Sequence, residues 1–147
     1  MKPTEKPEAD ATMLFEEVQT GDILKFRQAM LWPDKPLSHV AVLGDDTATH
    51  LCLRQNGEIC AAGSFFPDGD RVQLRKLAVH PGLRGKGIGK QLIQAGIDIM
   101  KDKGARLLWC DARVESLGFY EQIGFSIESD IYLKSGKPYR KASIELS

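Results

Sequence analysis

The segment that most restricts this chain runs from Val72 to Gly104. A strand-like run, "VQLRKLAV" (Val72–Val79), leads directly into "HPGLRGKGIG" (His80–Gly89), and apolar residues at helical spacing follow from Ile88. The stretch holds four glycines and three basic side chains in ten positions. Glycine loses more chain entropy on folding than any other residue, and neighbouring like charges repel. A fold that keeps such a stretch must gain something from it: a turn joining strand to helix, a nucleic-acid patch or a phosphate cradle.

Charge helps to separate the three. The chain has 147 residues, with 20 Lys and Arg against 20 Asp and Glu, so its formal net charge is zero. A general nucleic-acid binder carries a basic excess, so no nucleic-acid partner is expected. The positive character of the stretch is local and suits a local anion. The length is that of one ordinary domain, enough to bury roughly 68–70% of the unfolded chain's surface without staples. Cys52, Cys60 and Cys110 are odd in number, form no CxxC pair and each sit in an apolar run, which reads as reduced core thiols. No apolar run approaches the roughly 18 residues needed to cross a bilayer, so no membrane partner is expected. The polar N-terminus "MKPTEKPEAD" lacks the apolar segment of a secretory signal. Residues 1–12 therefore read as a flexible lead, residues 13–147 as one domain, and the expected compartment is the cytoplasm.

Along the chain, "MLFEEV" (Met13–Val18) reads as a first strand. "TGDILKFRQAM" reads as a helix capped by Thr20 or Asp22, with Ile23, Phe26 and Met30 on one face. The prolines of "LWPDKP" end it. The segment from Leu37 to Thr47 shows no clear period, and Asp45-Asp46 marks a turn. "THLCLRQNGEICAAGSFF" is a hairpin about Asn56-Gly57, a pair that supplies the positive φ angles of a tight turn. "PDGD" turns the chain into Val72–Val79. Leu92, Ile93, Gly96, Ile97 and Met100 carry a helix to Lys103-Gly104. "ARLLWCDA" is a buried-type strand, and "VESLGFYEQIGF" a short helix closing on Gly124. Two last strands, "FSIESDIYL" and "YRKASIEL", flank the turn "KSGKP". The order β-α-β-β-β-α-β-α-β-β predicts an α+β fold, a mixed sheet with helices on its faces.

The glycine stretch falls between a strand and a helix. Backbone N–H groups at a helix start lack intrahelical partners and sit at the positive end of the helix dipole. Gly85, Gly87 and Gly89 let a phosphate approach the backbone without meeting a Cβ, and Arg84, Lys86 and Lys90 add charge. A cradle of this length, Leu83 to Lys90 with Ile88 inside it, suits a pyrophosphate better than a single phosphate. The spacing is neither that of a Walker loop, because Gln91 follows Gly89-Lys90, nor that of a dinucleotide fingerprint, because Leu92 stands three after Gly89. A plain connecting turn stays open at this level.

The stretch "VHPGLRGKGIGKQLI" resembles the signature of the GNAT superfamily of N-acetyltransferases, Arg/Gln-x-x-Gly-x-Gly/Ala at a helix start, with Arg84, Gly87 and Gly89 in the signature positions. "FYEQIGF" (Phe119–Phe125) is similar to the family's second signature, Tyr-x-x-x-Gly-Phe. The likeness is strong from about Val72 to Phe125 and reaches the N-terminal third in element order only. "DAR…FYEQIGF" and "SGKPYRKASIEL" resemble a bacterial branch whose acceptor amines are mostly unassigned.

The resemblance implies a mostly antiparallel central sheet, splayed where acetyl-coenzyme A binds, and an enzyme that transfers acetyl to a primary amine of a small molecule or peptide without a metal. It implies that the thioester lies along the strand before the glycine stretch, where a backbone N–H near Leu77, Ala78 or Val79 polarises the acetyl carbonyl. That role needs a bulge or splay that frees the N–H from the sheet ladder. Tyr120 stands in the position of the family's general acid. Where many members carry Asn seven residues before that tyrosine and Ala four before it, this chain has Arg113 and Ser116. Arg113 is then a candidate to replace the Asn at the pantetheine arm or to reach a coenzyme phosphate. Arg27, Trp32 and Asp45 or Asp46 fall where the family builds its acceptor pocket, and His50, a strand histidine, is a further candidate there. Neither Glu115 nor Glu121 is assigned as a base, and none of the cysteines matches a catalytic position. A non-catalytic acyl-coenzyme A-binding or sensing domain and a small interaction domain are the rival readings. An exposed edge in the C-terminal strands allows pairing with a second copy.

Overall fold

A computed structural model describes residues 14–146. The expected lead, residues 1–12, and Met13 lie outside the described residues. The elements follow in the order β1 (Glu16–Val18), α1 (Thr20–Leu31), α2 (Leu37–Val40), β2 (Thr49–Gln55), β3 (Glu58–Asp68), β4 (Arg71–Val79), α3 (Ile88–Asp102), β5 (Leu107–Arg113), α4 (Leu117–Ile123), β6 (Ser126–Ile127), β7 (Tyr132–Lys134) and β8 (Lys137–Glu145). Single 3-10 turns occupy Pro81–Leu83 and Val114–Ser116. The strands form one sheet in the order β1-β2-β3-β4-β5-β8-β6, with β7 also on β8. All pairings are antiparallel except β4 with β5. This is the mixed sheet that the element order predicts, and mostly antiparallel as the resemblance implies. Among the described residues no helix is long and apolar enough to cross a membrane.

Local chemistry accounts for most boundaries. Asn56 (φ +54°) and Gly57 (φ +83°) both take positive φ and close the β2–β3 hairpin. Gly104 (φ +94°) and Gly124 (φ +118°) follow the last turns of α3 and α4. The sheet is covered on both faces. The 3.6-residue apolar stripe of α3, Ile88, Leu92, Ile93 and Met100, sits in the main core with Phe65, Leu74 and Leu108. Ile23 and Phe26 of α1 pack on the opposite face against Cys52, Ala62 and Ala78. The three cysteines are free and buried, as core thiols.

Four expectations change. Gln19, not Thr20 or Asp22, is the N-cap of α1, and no side chain caps it; the Thr20 hydroxyl is taken by the Asp45 carbonyl at 3.0 Å. The segment after Pro36 forms the short α2 and then turns. Residues 114–123 divide into a 3-10 turn and α4. "FSIESDIYL" is two short strands, because after Glu128, whose N–H still donates to the Lys141 carbonyl (2.8 Å), the chain leaves the ladder and Ser129 accepts from the Lys141 N–H of β8 through its side chain. The β8 strand is flanked by β5 on one side and by β6 and β7 on the other, so the free edge in this half belongs to short strands.

The α3 helix approaches the sheet closely at Gly96. A Cβ there would stand 2.1 Å from Phe65 Cζ, and Phe65 is fully buried and has nowhere to turn. Gly96→Ala is therefore expected to destabilise the fold by about 3 kcal/mol, the upper part of the overpacking range. A thermal melt should move down by several degrees. An unchanged melting temperature would mean that α3 shifts away from the sheet at no cost.

Candidate active site

The parallel pair β4 and β5 shares register at three positions only, Arg71 with Leu107, Val72 with Leu108 and Gln73 with Trp109. Beyond Gln73 the strands part, β4 staying with β3 and β5 with β8. At the point of parting β4 bulges. Ala62 opposes Ala78 and Ser64 opposes Arg75, so Gly63 alone faces both Lys76 and Leu77. Lys76 takes φ +61°, unusual for a residue with a side chain. A bulge leaves backbone groups outside the ladder, here at the edge of the gap.

The chain leaves β4 into the glycine stretch. His80 sits outside the sheet as a loop residue: its N–H donates to the Cys60 carbonyl (2.8 Å) and its Nδ1 accepts from the Gly82 N–H (3.1 Å). Arg84 Nε donates back to the Val79 carbonyl at 3.2 Å and holds the loop against the strand. Gly85 and Gly87 both have φ +78°, a conformation that favours glycine. Gly87 is the N-cap of α3, and the first intrahelical bond runs from Gln91 N–H to its carbonyl at 3.0 Å. The N–H groups of Ile88, Gly89 and Lys90 therefore have no carbonyl a turn earlier to bond. With no acid in the first turn of α3, and with Lys86 and Lys90 exposed beside it, the helix start is electropositive.

A cleft of about 590 Å³ opens at this place. Leu77, Ala78 and Val79 line it from β4, and Leu83, Arg84 and Gly85 from the loop. Gly87, Ile88, Gly89 and Lys90 line it from the start of α3. All the sequence-derived coenzyme residues thus come together except Lys86, at the loop tip, and Arg113. The guanidinium of Arg113 pairs with Glu115 and lies 5.8 Å over the Tyr139 ring, away from the cleft. Met30 and Leu31 of α1, Ser116, Phe119 and Gln122 complete the lining, and sequence reasoning missed them. Phe119 and Gln122 carried a signal by their places in the second motif, and Ser116 by standing four residues before Tyr120.

Tyr120 lies one residue from this lining. Its ring is wedged edge-on between Phe119 (4.9 Å) and Phe125 (5.3 Å). Its hydroxyl faces the thiol of Cys110, where β5 has left β4. Burial, then Cys110, raises the Tyr120 pKa, so the phenol keeps its proton throughout the neutral range.

Among the acceptor-pocket candidates, Arg27, Asp45 and His50 are corrected, because all three are buried and bonded to one another. Arg27 is 2% exposed and donates to Asp45 Oδ2 (2.9 Å) and Oδ1 (3.1 Å), to the Val40 carbonyl (2.8 Å) and to Ser64 Oγ (3.0 Å). His50, 3% exposed, has Nδ1 at 2.7 Å from Ser64 Oγ and Nε2 at 2.8 Å from the Asp45 carbonyl. Both belong to a buried network that ties the α1–β2 connection to the sheet. Burial alone would raise the Asp45 carboxyl, but the Arg27 and Val42 donors outweigh it and hold it below the usual carboxylate range. Asp46 is exposed. Trp32 is half exposed, edge-on to His39 at 5.0 Å, and the adjacent Leu31 lines the cleft in its stead.

A second cluster went unread in the sequence. Asp111 of β5 accepts from the Tyr132 hydroxyl, from Lys134 Nζ at 2.8 Å and from Gln73 Nε2 at 3.4 Å. Burial raises its pKa, and the Lys134 and Tyr132 bonds reverse that and hold it low. Its one sequence signal is an acid in an otherwise apolar strand.

Comparison with known proteins agrees with this geometry. A family model described as "Acetyltransferase (GNAT) family" matches residues 13–125. The Bacillus subtilis protein YyaT, itself uncharacterized, is 21% identical over 136 residues, 89% of this chain and 92% of that one. The streptothricin acetyltransferase of Streptomyces lavendulae is 28% identical over 95 residues, 59% of this chain; the match spans half of that enzyme's length. Among solved structures, an aminoglycoside 6'-N-acetyltransferase complexed with coenzyme A has the same fold, with a TM-score of 0.77 at 13% identity over 92% of this chain and 98% of that one.

Proposed function

The chain belongs to the GNAT family of acetyltransferases, and from that premise we propose that it moves the acetyl group of acetyl-coenzyme A to a primary amine by direct attack, with both substrates bound at once. One observation carries the reading. The end of β4 from its bulge residue Leu77, the glycine loop and the free amides of the α3 start all line the same cleft.

The residues present fit the coenzyme. Left-handed Gly85 and Gly87 bring backbone N–H groups to a surface with no Cβ in the way, at a helix start with cations and no acid. Acetyl-coenzyme A supplies the acetyl group as a thioester, whose sulfur leaves as a thiolate. The loop from Leu83 to Lys90 binds the pyrophosphate through its amides. A backbone N–H at the β4 bulge, near Leu77 to Val79, donates to the carbonyl oxygen, which draws charge toward a fixed donor. Tyr120 supplies the proton that the thiolate needs. Burial pushes the thiol of Cys52 up to about 11 and that of Cys110 up to about 12, and raises Cys60 as well. No cysteine offers a ready thiolate, which supports transfer in one step over an acyl-enzyme. The acceptor is an amine of a small molecule or a peptide.

The test is incubation with acetyl-coenzyme A and a panel of primary amines. Free thiol and an acetylated amine should form in equal amounts. Tight coenzyme binding with no thiol release on any amine would favour the acyl-coenzyme A-binding or sensing domain instead.

A further inference from the structure

Two cations beside the opening have no part in that chemistry. Successive side chains of a regular strand point to opposite faces, and the β4 bulge breaks this alternation. Arg75 pairs in register with Ser64, a partner of Arg27, and its guanidinium lies 5.8 Å over the Phe66 ring, on the α1 face. Leu77 packs on the other face, in the core beneath α3. Lys76 is the extra residue between them. Arg75, Arg27 and Lys134 are the cations that act on its ammonium, and Asp45 the carboxylate. Two consecutive cations thus stand at the bulge.

The carboxylates near them are engaged elsewhere. Asp45 is held by Arg27, and Asp111 by Lys134 and Tyr132. Among the described residues neither Arg75 nor Lys76 forms a salt bridge. Lys76 is half-buried, and burial first, then Arg75, lowers its pKa. A partly desolvated ammonium among cations is costly without a counter-anion, and its left-handed backbone adds about 1–2 kcal/mol. Both penalties fall on one residue, at the bulge where an acetyl carbonyl would be held.

We propose that Lys76, with Arg75, binds an anionic group of the acceptor, so that the acceptor is an amine that also carries a carboxylate or a phosphate. The proposal rests on the acetyl-transfer reading. It is tested with matched pairs: β-alanine against β-alaninamide for the carboxylate, and O-phosphoethanolamine against ethanolamine for the phosphate. With the protein saturated in coenzyme A, the anionic member of at least one pair should shift the Lys76 Nζ resonance and the neutral member should not. With acetyl-coenzyme A, that anionic amine should be the better acceptor. Lys76→Met should raise its KM roughly 10–100-fold, the loss of one charge-assisted hydrogen bond, with kcat, coenzyme affinity and the neutral amine's KM unchanged. Lys76→Gly, which suits the left-handed backbone, should do the same if the Met variant folds poorly. Equal use of charged and neutral amines, an equal KM rise on both, a loss of coenzyme affinity, or no resonance shift with either anion would overturn the assignment. Anion binding without any acetylated product would leave it standing and count against acetyl transfer.

Discussion

Tyr120→Phe is expected to lower turnover by about 10²–10⁴-fold, the usual contribution of a positioned proton donor, and to leave coenzyme affinity unchanged. The substitution removes one oxygen. The ring keeps its edge-on contacts with Phe119 and Phe125, so packing is preserved. What disappears is a phenol that burial keeps protonated, at the point where β5 has parted from β4. A thiol of pKa near 8.5 leaves poorly as a bare anion in a partly dry site. Steady-state thiol release and calorimetry of coenzyme binding separate the two effects. Full turnover in the variant would remove Tyr120 from the chemistry and leave water or another group to supply the proton.

Gly87→Val should weaken coenzyme binding at least tenfold while the protein still folds. Gly87 holds φ +78° at the N-cap of α3. A β-branched residue there must either bear the strain, about 1–2 kcal/mol, or turn the backbone and misdirect the free amides that follow. Each hydrogen bond to a charged group lost in that way is worth about 1.5–3 kcal/mol. The fold has room for the side chain, since a Cβ at Gly87 would meet only Gln91 Nε2 at 4.0 Å. Isothermal titration with coenzyme A, beside a melting curve, reads both properties. An unchanged affinity in the folded variant would show that the loop is only a connection.

What could be read from the sequence was set by local rules. The positive φ at Asn56 and Gly57, the α3 stripe and the closing Gly124 each express a constraint among residues a few positions apart. The same locality made much of the cleft's lining legible, because the glycine stretch and the end of β4 are contiguous. The surroundings of the other candidates depend on meetings across the fold. Arg27 and His50 carry no local sign that they will be buried against Asp45 and Ser64, up to 37 residues away. Lys76 takes a left-handed bulge conformation at a position where a sequence reader would look for glycine. Thr20 obeys a capping rule in sequence and gives its hydroxyl to a tertiary partner instead. Asp111 becomes conspicuous only once β7 brings Tyr132 and Lys134 over β5.

A crystal structure with acetyl-coenzyme A bound tests the central claim most directly. The account predicts the pyrophosphate within hydrogen-bond distance of the Ile88, Gly89 and Lys90 amides. It also predicts the thioester in the gap between β4 and β5, with its carbonyl on an N–H of the β4 bulge. A coenzyme seated elsewhere on the protein, with that gap closed or filled by side chains, would contradict it.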